Sequence, residues 1–329
     1  MKSKTLVYGT MLLAATAFAS CDNNSIEELN FDVSIENGTT TVKAGEPVTF
    51  LFSGDPDYLI FYSGEFGKKY ANRNRYQAEV QDLKLGYNLT LQYARKNYRN
   101  GLRVLVSEDF NGSYDEESIN AATWTDLDGQ LKVPVITSTD EGYQNGSVND
   151  VLVDISAYKD KPFYLALEYN MAPLTSEEIA NSWRHPDVTF SPKLSYTLDG
   201  KTVEKTSPKN DFGFGFLVIE GNKTDPKYPL TTNCDDSNVK IQGRNGINGT
   251  HVWAVSSAIN ASKVSADEGE SIKSLSAALT SYTHTYTEPG EYTATFIARN
   301  ANAWNMAEAI REITITVVEE EATTTETNN

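Results

Sequence analysis

The stretch that decides the fold is YTHTYTEPGEYTATFIARN, residues 282–300. Pro289 and Gly290 occupy the two positions that a type II turn demands. After the turn, apolar side chains recur at every second position, which is the period of a strand with one buried face. These side chains are Tyr292, Ala294, Phe296 and Ala298. The stretch therefore predicts a β-hairpin and indicates an all-β fold for the chain around it.

The composition of the chain agrees with a β-rich globular protein. Of its 329 residues, 39% are hydrophobic and 11% are aromatic, and 18 tyrosines outnumber 13 phenylalanines. Tyrosine, threonine and valine favour strands, and this apolar content excludes a wholly disordered chain. The formal net charge of −17 argues against nucleic acid as a partner, because acidic side chains repel phosphate. Neutral ligands suit this charge best.

Alternating strands and turn residues divide the chain into three predicted β-sandwiches. An immunoglobulin-like sandwich is expected over residues 31–96, a jelly roll over 97–254 and a second immunoglobulin-like sandwich over 255–318. Thr175 and Glu178 have the spacing of a capping box, which predicts one short helix within the jelly roll.

Both ends of the chain carry signals that lie outside the predicted sandwiches. Residues 1–20 contain two lysines followed by an apolar run, which is the layout of a secretory signal peptide. This run is shorter than the roughly 20 residues that a membrane span needs. Residues 21–30 form a polar, acidic spacer, and residues 319–329 form a charged tail that is expected to be disordered.

The two cysteines leave two alternatives. The stretch Phe18-Ala19-Ser20-Cys21 resembles the lipobox of a bacterial lipoprotein, in which the cysteine is lipidated and becomes the first residue. Alternatively, Cys21 pairs with Cys234 in a disulfide, which an exported chain permits. The polar stretch behind Cys21 favours lipidation, which leaves Cys234 as a single thiol.

The sequence contains no pattern that is specific for catalysis. His185, His251 and His284 stand in no recognisable triad context, and no Gly-x-Ser-x-Gly elbow occurs. Several acids are adjacent in sequence, but neighbours on a strand point to opposite faces and do not make a glycosidase pair. The sequence therefore predicts a protein that is not an enzyme and requires no cofactor.

An acidic turn provides one candidate metal site. The stretch SEDFNG, residues 107–112, offers oxygen ligands from Glu108, Asp109 and Asn111. Calcium takes six to eight oxygens, often from one acidic turn. The alternative, in which these side chains are solvated turn residues, stays open.

Tryptophans are the candidate glycan-binding residues, because a sugar ring needs a flat aromatic surface beside hydrogen-bonding groups. Trp304 lies between Asn302 and Asn305 in a predicted loop, where binding residues are commonly displayed. It either meets a ligand or folds back as a loop anchor. Trp183, beside Arg184, follows the predicted helix and is a second candidate. The other tryptophans, Trp124 and Trp253, are predicted core residues. Four tyrosines are secondary candidates for glycan binding: Tyr58, Tyr62, Tyr93 and Tyr98.

Several stretches resemble known domain families. Residues 282–300 resemble the PKD type of immunoglobulin-like domain, and residues 42–67 are similar to it. The stretches at 107–110 and 154–167 resemble the galactose-binding-like jelly rolls of carbohydrate-binding modules. With the lipobox, the chain resembles Sus-like surface glycan-binding lipoproteins of Bacteroidetes polysaccharide-utilisation loci, many of which are domains of unknown function.

This resemblance implies a non-catalytic lipoprotein on the surface of the outer membrane, which its N-terminal lipid alone attaches to the membrane. Such a protein captures a polysaccharide or oligosaccharide for an outer-membrane importer complex of the same locus. The resemblance also implies a structural calcium ion on the jelly roll. Two alternatives stand beside this expectation: a divergent glycoside hydrolase or lyase, and a structural adhesin that binds no glycan.

Overall fold

The predicted all-β fold is confirmed. The computed structural model describes residues 26, 28–95, 101–127, 133–134, 142–220, 229–243, 248–275 and 278–319. Strands dominate this part of the chain, and its helices are short. None of these helices has the length and apolar character needed to cross a membrane. The predicted signal peptide and Cys21 lie outside the described residues, as does the predicted tail after residue 319.

The elements are numbered in chain order. The strands are β1 (Asp32–Ile35), β2 (Thr41–Lys43), β3 (Pro47–Ser53), β4 (Tyr58–Tyr62), β5 (Gln81–Ala94), β6 (Leu102–Ser107), β7 (Thr125–Asp126), β8 (Gln144–Asp154), β9 (Tyr164–Met171), β10 (Asp187–Leu198), β11 (Lys201–Lys205), β12 (Gly215–Glu220), β13 (Thr231–Cys234), β14 (Val239–Gln242), β15 (Thr250–Val255), β16 (Glu270–Lys273), β17 (Ser281–Thr285), β18 (Gly290–Ala301) and β19 (Met306–Val318). The α-helices are α1 (Glu116–Ala121) and α2 (Ser176–Ala180). Short helices of other types are Tyr70–Asn72, Ser156–Tyr158 and Pro208–Phe212.

The chain folds into two compact units, and one of them is assembled from both ends of the chain. The terminal unit combines the residues up to Arg73 with those from Asp267 onward. The central unit comprises Asn74–Ala266. In the terminal unit, one sheet has the strand order β1-β3-β17 and the other has the order β16-β4-β18-β19-β2. Aromatic side chains dominate the core between these sheets: Phe31, Phe50, Phe61, Tyr286 and Phe296.

This division differs from the three sandwiches that the sequence predicted. Strands of the segments 31–96 and 255–318 do not form separate sandwiches but share the same two sheets. Residues 74–96, including β5, belong to the central unit. An alternating pattern specifies which face of a strand is buried, but it does not specify the partner strand. The sequence therefore indicated the strands and not their assembly.

The connection at Pro289-Gly290 is not the predicted hairpin. Strand β17 pairs with β3, whereas β18 pairs with β4 and β19, so the connection joins two different sheets. Gly290 lacks the positive φ that a type II turn requires at that position. Tyr286, fully buried between the two strands, donates a hydrogen bond from its hydroxyl to the Ser63 carbonyl. The chain passes from one sheet to the other here instead of folding back on itself.

The central unit is a sandwich of two antiparallel sheets. One sheet has the order β13-β14-β10-β5-β8, with β11 attached to β10, and the other has the order β12-β15-β9-β6-β7. Aliphatic residues from both sheets fill the core between them, among them Leu85, Leu89, Val104 and Leu167. The predicted capping box at α2 is confirmed, since Thr175 and Glu178 bond each other's backbone N–H groups.

A smaller cluster covers the outer face of β6, β9 and β15. Trp253 is 6% exposed there, and Trp124 packs against it with ring centroids 5.1 Å apart. The indole N–H of Trp124 donates to the Ile119 carbonyl in α1. The prediction that Trp253 packs inside is confirmed, whereas Trp124 is half-buried and packs against this cluster.

Candidate functional site

Exposed aromatic side chains of the described residues include Phe66, Tyr76, Tyr93, Tyr114, Tyr143 and Trp304. Two of the places that contain them include predicted glycan contacts, and the first is the turn between β18 and β19. The two strands pair as far as Ala301 and Met306, so residues 302–305 form a tight connection. Trp304 in this connection is 68% exposed, and Met306 beside it is 61% exposed. The indole is therefore displayed to solvent and is not packed as a loop anchor.

The asparagines at this turn hold the backbone. The side-chain carbonyl of Asn302 accepts hydrogen bonds from the backbone N–H groups of Trp304 and Asn305, at 2.9 and 2.8 Å. The side chain of Asn300 accepts from the Asp57 N–H at 2.9 Å, and the Asp57 carboxylate accepts from the Ala301 N–H at 3.1 Å. Asparagine commonly closes turns in this way. The amide oxygen of Asn302, a predicted ligand contact, instead fixes the loop that presents Trp304.

The second place is a group of five side chains in the central unit, which we call the aromatic cluster: Tyr93, Arg95, Tyr143, Trp183 and Arg184. Its rings and guanidinium groups alternate. The Arg184 guanidinium lies 4.5 Å from the ring centroid of Tyr93. The Arg95 guanidinium lies 4.2 Å from the centroid of Tyr143 and 4.9 Å from that of Trp183. Each such contact stabilises by about 0.5–1 kcal/mol at an exposed position.

The contacts of Tyr143 connect the pair Tyr93 and Arg184 with the neighbouring Arg95 and Trp183. The rings of Tyr93 and Tyr143 meet edge to face, with centroids 5.9 Å apart. The Tyr143 hydroxyl donates to the Ser182 carbonyl at 3.1 Å, next to Trp183. Tyr93 and Tyr143 are 44% and 42% exposed, and Trp183 is half-buried. The cluster therefore presents ring surface to solvent and holds each ring through a neighbour.

Backbone strain accompanies this display. Tyr93 has a φ of 62° and Ser182 a φ of 55°, in the left-handed region that side chains other than glycine and asparagine rarely adopt. Such residues cost about 1–3 kcal/mol each and persist where the surroundings hold them. At Tyr93 the pairing of β5 with β8 shifts register, and the Asn145 side chain accepts from the Tyr93 N–H at 3.2 Å. The bulge turns Tyr93 away from the core that contains Leu89 and Leu91.

The sequence pointed to part of this cluster. Trp183 and Arg184 were predicted glycan contacts, and Tyr93 was a secondary candidate. Arg95 and Tyr143 were missed. Tyr143 lies far in sequence from Tyr93 and from Trp183, and only the pairing of β5 with β8 brings it close to Tyr93. Tyr98, another secondary candidate, lies outside the described residues. Trp304 belongs to the terminal unit and Trp183 to the central unit.

The predicted calcium ligands have protein partners. The Asp109 carboxylate accepts from the Ser107 hydroxyl at 2.8 Å and from the Thr123 N–H at 2.7 Å. Hydrogen bonds from Thr123 and Ser107 hold the pKa of Asp109 below its ordinary value. Asn111 accepts from the Ser113 N–H at 2.8 Å, whereas Glu108 is exposed. Over the described ranges, no three His, Cys, Asp or Glu side chains are grouped to hold a metal ion.

Glu168 is a buried carboxylate on the outer face of β9. One of its oxygens accepts from the Arg103 guanidinium, and the other lies 2.9 Å from His251 Nε2. Burial raises the pKa of Glu168, but the hydrogen bond with His251 and the charge of Arg103 outweigh burial, so this pKa lies below its ordinary value. A glycosidase acid requires a raised pKa. Glu168 is therefore placed as an ionised partner of Arg103 and not as a proton donor.

The remaining histidines lie within hydrogen-bond distance of protein groups, and the cysteine is partly buried. His185 is buried, with its two ring nitrogens 2.9 Å from the Thr250 hydroxyl and from the Ala172 carbonyl. His284 lies 2.9 Å from the Glu65 carboxylate. Cys234 carries a free thiol that is half-buried, and burial raises the pKa of this thiol.

Comparison with known proteins gives one match. A family model described as a domain of unknown function, DUF5017, matches residues 20–209. The chain belongs to the DUF5017 family. No curated protein and no solved structure matches it. The DUF5017 match includes all five residues of the aromatic cluster and excludes Trp304.

Proposed function

We propose that this DUF5017 protein is a non-catalytic, cell-surface lipoprotein that binds a polysaccharide and captures it for the importer of a Sus-like polysaccharide-utilisation locus. The aromatic cluster carries this proposal. Its three rings are held by cation–π contacts and by a strained backbone, and two of them are more than two-fifths exposed. Buried packing does not explain such an arrangement, whereas display to a ligand does.

The chemistry of the cluster suits a sugar. A pyranose ring has a C–H face that packs on aromatic rings and an edge of hydroxyls that need hydrogen-bond partners. The half-exposed rings of Tyr93 and Tyr143 supply the first surface. The guanidinium groups of Arg95 and Arg184 supply planar arrays of N–H donors beside these rings. A weak site of this kind gains strength when one long chain meets several binding surfaces.

Trp304 supports the proposal as a second exposed surface. Its indole is displayed by a turn that the Asn302 side chain fixes. A displayed indole on a fixed backbone turn suits stacking on a sugar. The export signal and the lipobox at Cys21 support a location on the cell surface.

The alternatives have weaker support. A hydrolase or lyase requires a general acid or base, and Glu168 is already engaged by Arg103 and His251. A structural adhesin requires no exposed and strained ring cluster.

Affinity gel electrophoresis against a panel of neutral and acidic polysaccharides tests the proposal. We expect at least one polysaccharide to retard the protein without being digested. Tyr93→Asn removes one ring and keeps a residue that tolerates the left-handed backbone, and Trp183→Ala removes another. Each change should weaken binding roughly five- to thirty-fold, which corresponds to about 1–2 kcal/mol of lost contact.

A matched control is Tyr76→Ala, because Tyr76 is a 69% exposed tyrosine of the same unit outside the cluster. This variant should bind as the unchanged protein does. Trp304→Ala measures how much the exposed indole of the terminal unit contributes to polysaccharide binding. Retardation by no polysaccharide would favour the adhesin, and release of sugar products would favour the enzyme. An equal loss of polysaccharide binding in Tyr76→Ala and Tyr93→Asn would show that the aromatic cluster is not the binding site.

A further inference from the structure

The central unit contains a cavity that the aromatic cluster does not use. It measures about 210 Å³ and lies beside the hairpin formed by β10 and β11. Its buried wall consists of Leu194 and Tyr196 from β10 together with Ile259 and Ala261. Polar and charged side chains complete the lining: Lys205, Asp211, Asn260 and Lys263.

The volume of the cavity has room for one ring. An apolar cavity of roughly 150 Å³ takes a benzene molecule, and drug-sized ligands need about 300 Å³ or more. A volume of about 210 Å³ lies between these limits. It suits a single six-membered ring that carries substituents.

One side of the cavity is polar and held in place. The Asp211 carboxylate accepts from the backbone N–H groups of Thr206 and Ser207, both at 2.9 Å, which fixes its orientation. Its other oxygen lies 3.7 Å from the Lys205 ammonium. Burial and the charge of Asp211 raise the pKa of Tyr196, which keeps the phenol protonated and able to donate. This side of the cavity therefore offers both an acceptor and a donor to hydroxyl groups.

The charges in the lining do not cancel. Two lysines and one aspartate leave one excess positive charge. Asp211 pairs with Lys205, so the excess positive charge lies on Lys263, in the loop at residues 258–263. A ligand with one negative charge complements the cavity.

We propose that this cavity binds a single pyranose that carries a carboxylate, that is, one uronic acid unit. The C–H face of the sugar packs on Ala258, the exposed apolar side chain of the lining. Its hydroxyls meet Asp211 and Tyr196, and its carboxylate pairs with Lys263. This site is separate from the aromatic cluster, and neither proposal requires the other.

Isothermal titration calorimetry of the purified protein with D-glucuronate, and with D-glucose as its neutral counterpart, tests the assignment. Glucuronate should bind saturably, and glucose should bind about ten-fold more weakly. Lys263→Gln should weaken glucuronate binding about ten-fold and leave glucose binding unchanged. Tyr196→Phe removes only the hydroxyl and should weaken binding of both sugars about three-fold.

Two controls separate this site from the rest of the molecule. Lys161→Gln removes an exposed lysine of the same unit that does not line the cavity, and it should change nothing. Trp183→Ala should leave glucuronate binding intact even where polysaccharide retardation is lost. The assignment is overturned if glucuronate does not bind saturably, if glucose binds equally well, or if Lys263→Gln binds glucuronate as before.

Discussion

The two units reach a stable core by different means. The terminal unit joins strands from both ends of the chain around aromatic rings, with Phe50 and Phe296 only 4.9 Å apart at their centroids. The central unit is continuous in sequence and relies chiefly on leucine and valine from two sheets. An aromatic side chain buries about 150–250 Å². A few rings therefore supply much of the apolar burial in the unit that has fewer core residues.

The exposed aromatic residues of the two units are also held by different means. Trp304 is displayed by a local device, a turn that Asn302 closes within four residues. The aromatic cluster is a non-local device, in which strand pairing brings Tyr143 to Tyr93. The local device needs no positive φ, whereas the cluster has one at Tyr93 and one at Ser182. The described residues also have positive φ at Asp82, Asp150 and Asp199, but aspartate tolerates this conformation better than tyrosine or serine does.

The largest expected effect tests whether each unit depends on its own core. Phe296→Ala removes a fully buried ring of the terminal unit and should cost about 3–5 kcal/mol. Hydrogen exchange should then accelerate in β3, β4 and β18. Phe190→Ala, the matched change in the central core, should accelerate exchange in β5 and β10 instead. Identical exchange patterns in the two variants would contradict the division into units.

A smaller effect is expected at acid pH in the central unit. The pKa of Glu168 lies below its ordinary value of 4.5, so the ionised carboxylate stabilises the fold above that pH and loses this role as the pH falls. Glu168→Gln should lower the free energy of unfolding by about 2 kcal/mol at pH 7. The deficit should shrink below pH 4.5, as measured by urea unfolding with tryptophan fluorescence. The exposed Glu177→Gln is the control, and a deficit that is constant with pH would refute the ion pair.

The terminal unit should show the opposite pH response. Burial, followed by the charge of Glu65, raises the pKa of Tyr286 above its ordinary value of 10.0. The neutral phenol is therefore favoured by folding, and its contribution is complete below pH 10 and lost as the pH rises further. Tyr286→Phe removes the bond to the Ser63 carbonyl and should cost about 1 kcal/mol at pH 7. The cost should diminish above pH 10 in alkaline unfolding, and an undiminished cost would contradict the assignment.

The smallest expected effect concerns strain at the cluster. Ser182→Gly relieves a left-handed backbone and should stabilise the protein by about 0.5 kcal/mol, after the greater freedom of glycine in the unfolded chain is subtracted. Ser182→Ala keeps the strain and should be neutral. Thermal unfolding of both variants measures the difference. A destabilised glycine variant would show that Ser182 is not strained.

Several features of the fold could be predicted from the sequence. The alternation after Gly290 predicted one buried face made of Tyr292, Ala294, Phe296 and Ala298, and all four pack in the core of the terminal unit. The capping box at Thr175 and the buried Trp253 were also predicted correctly. Each of these features depends on a few neighbouring residues, whose period or spacing is visible in the sequence. The exposure of Trp304 was one of two alternatives that its polar neighbours left open, and the structure decides between them.

The pairing of strands could not be predicted. The stretch 282–300 indicated two strands, but β17 and β18 belong to different sheets, which no local pattern in this stretch reveals. The cluster partners Arg95 and Tyr143 were missed for a related reason, since no local pattern connects Tyr143 with Trp183. The cavity likewise combines β10 with the loop at residues 258–263.

The sequence by itself determined the all-β class, the buried faces of individual strands and the local turn and helix signals. Tertiary structure alone decided that the two chain ends share one unit, that Tyr143 meets Tyr93, and that Lys263 and Asp211 line one cavity. The physical reason is that side-chain period and capping are properties of adjacent residues. Pairing and packing instead depend on which distant surfaces bury the most apolar area together.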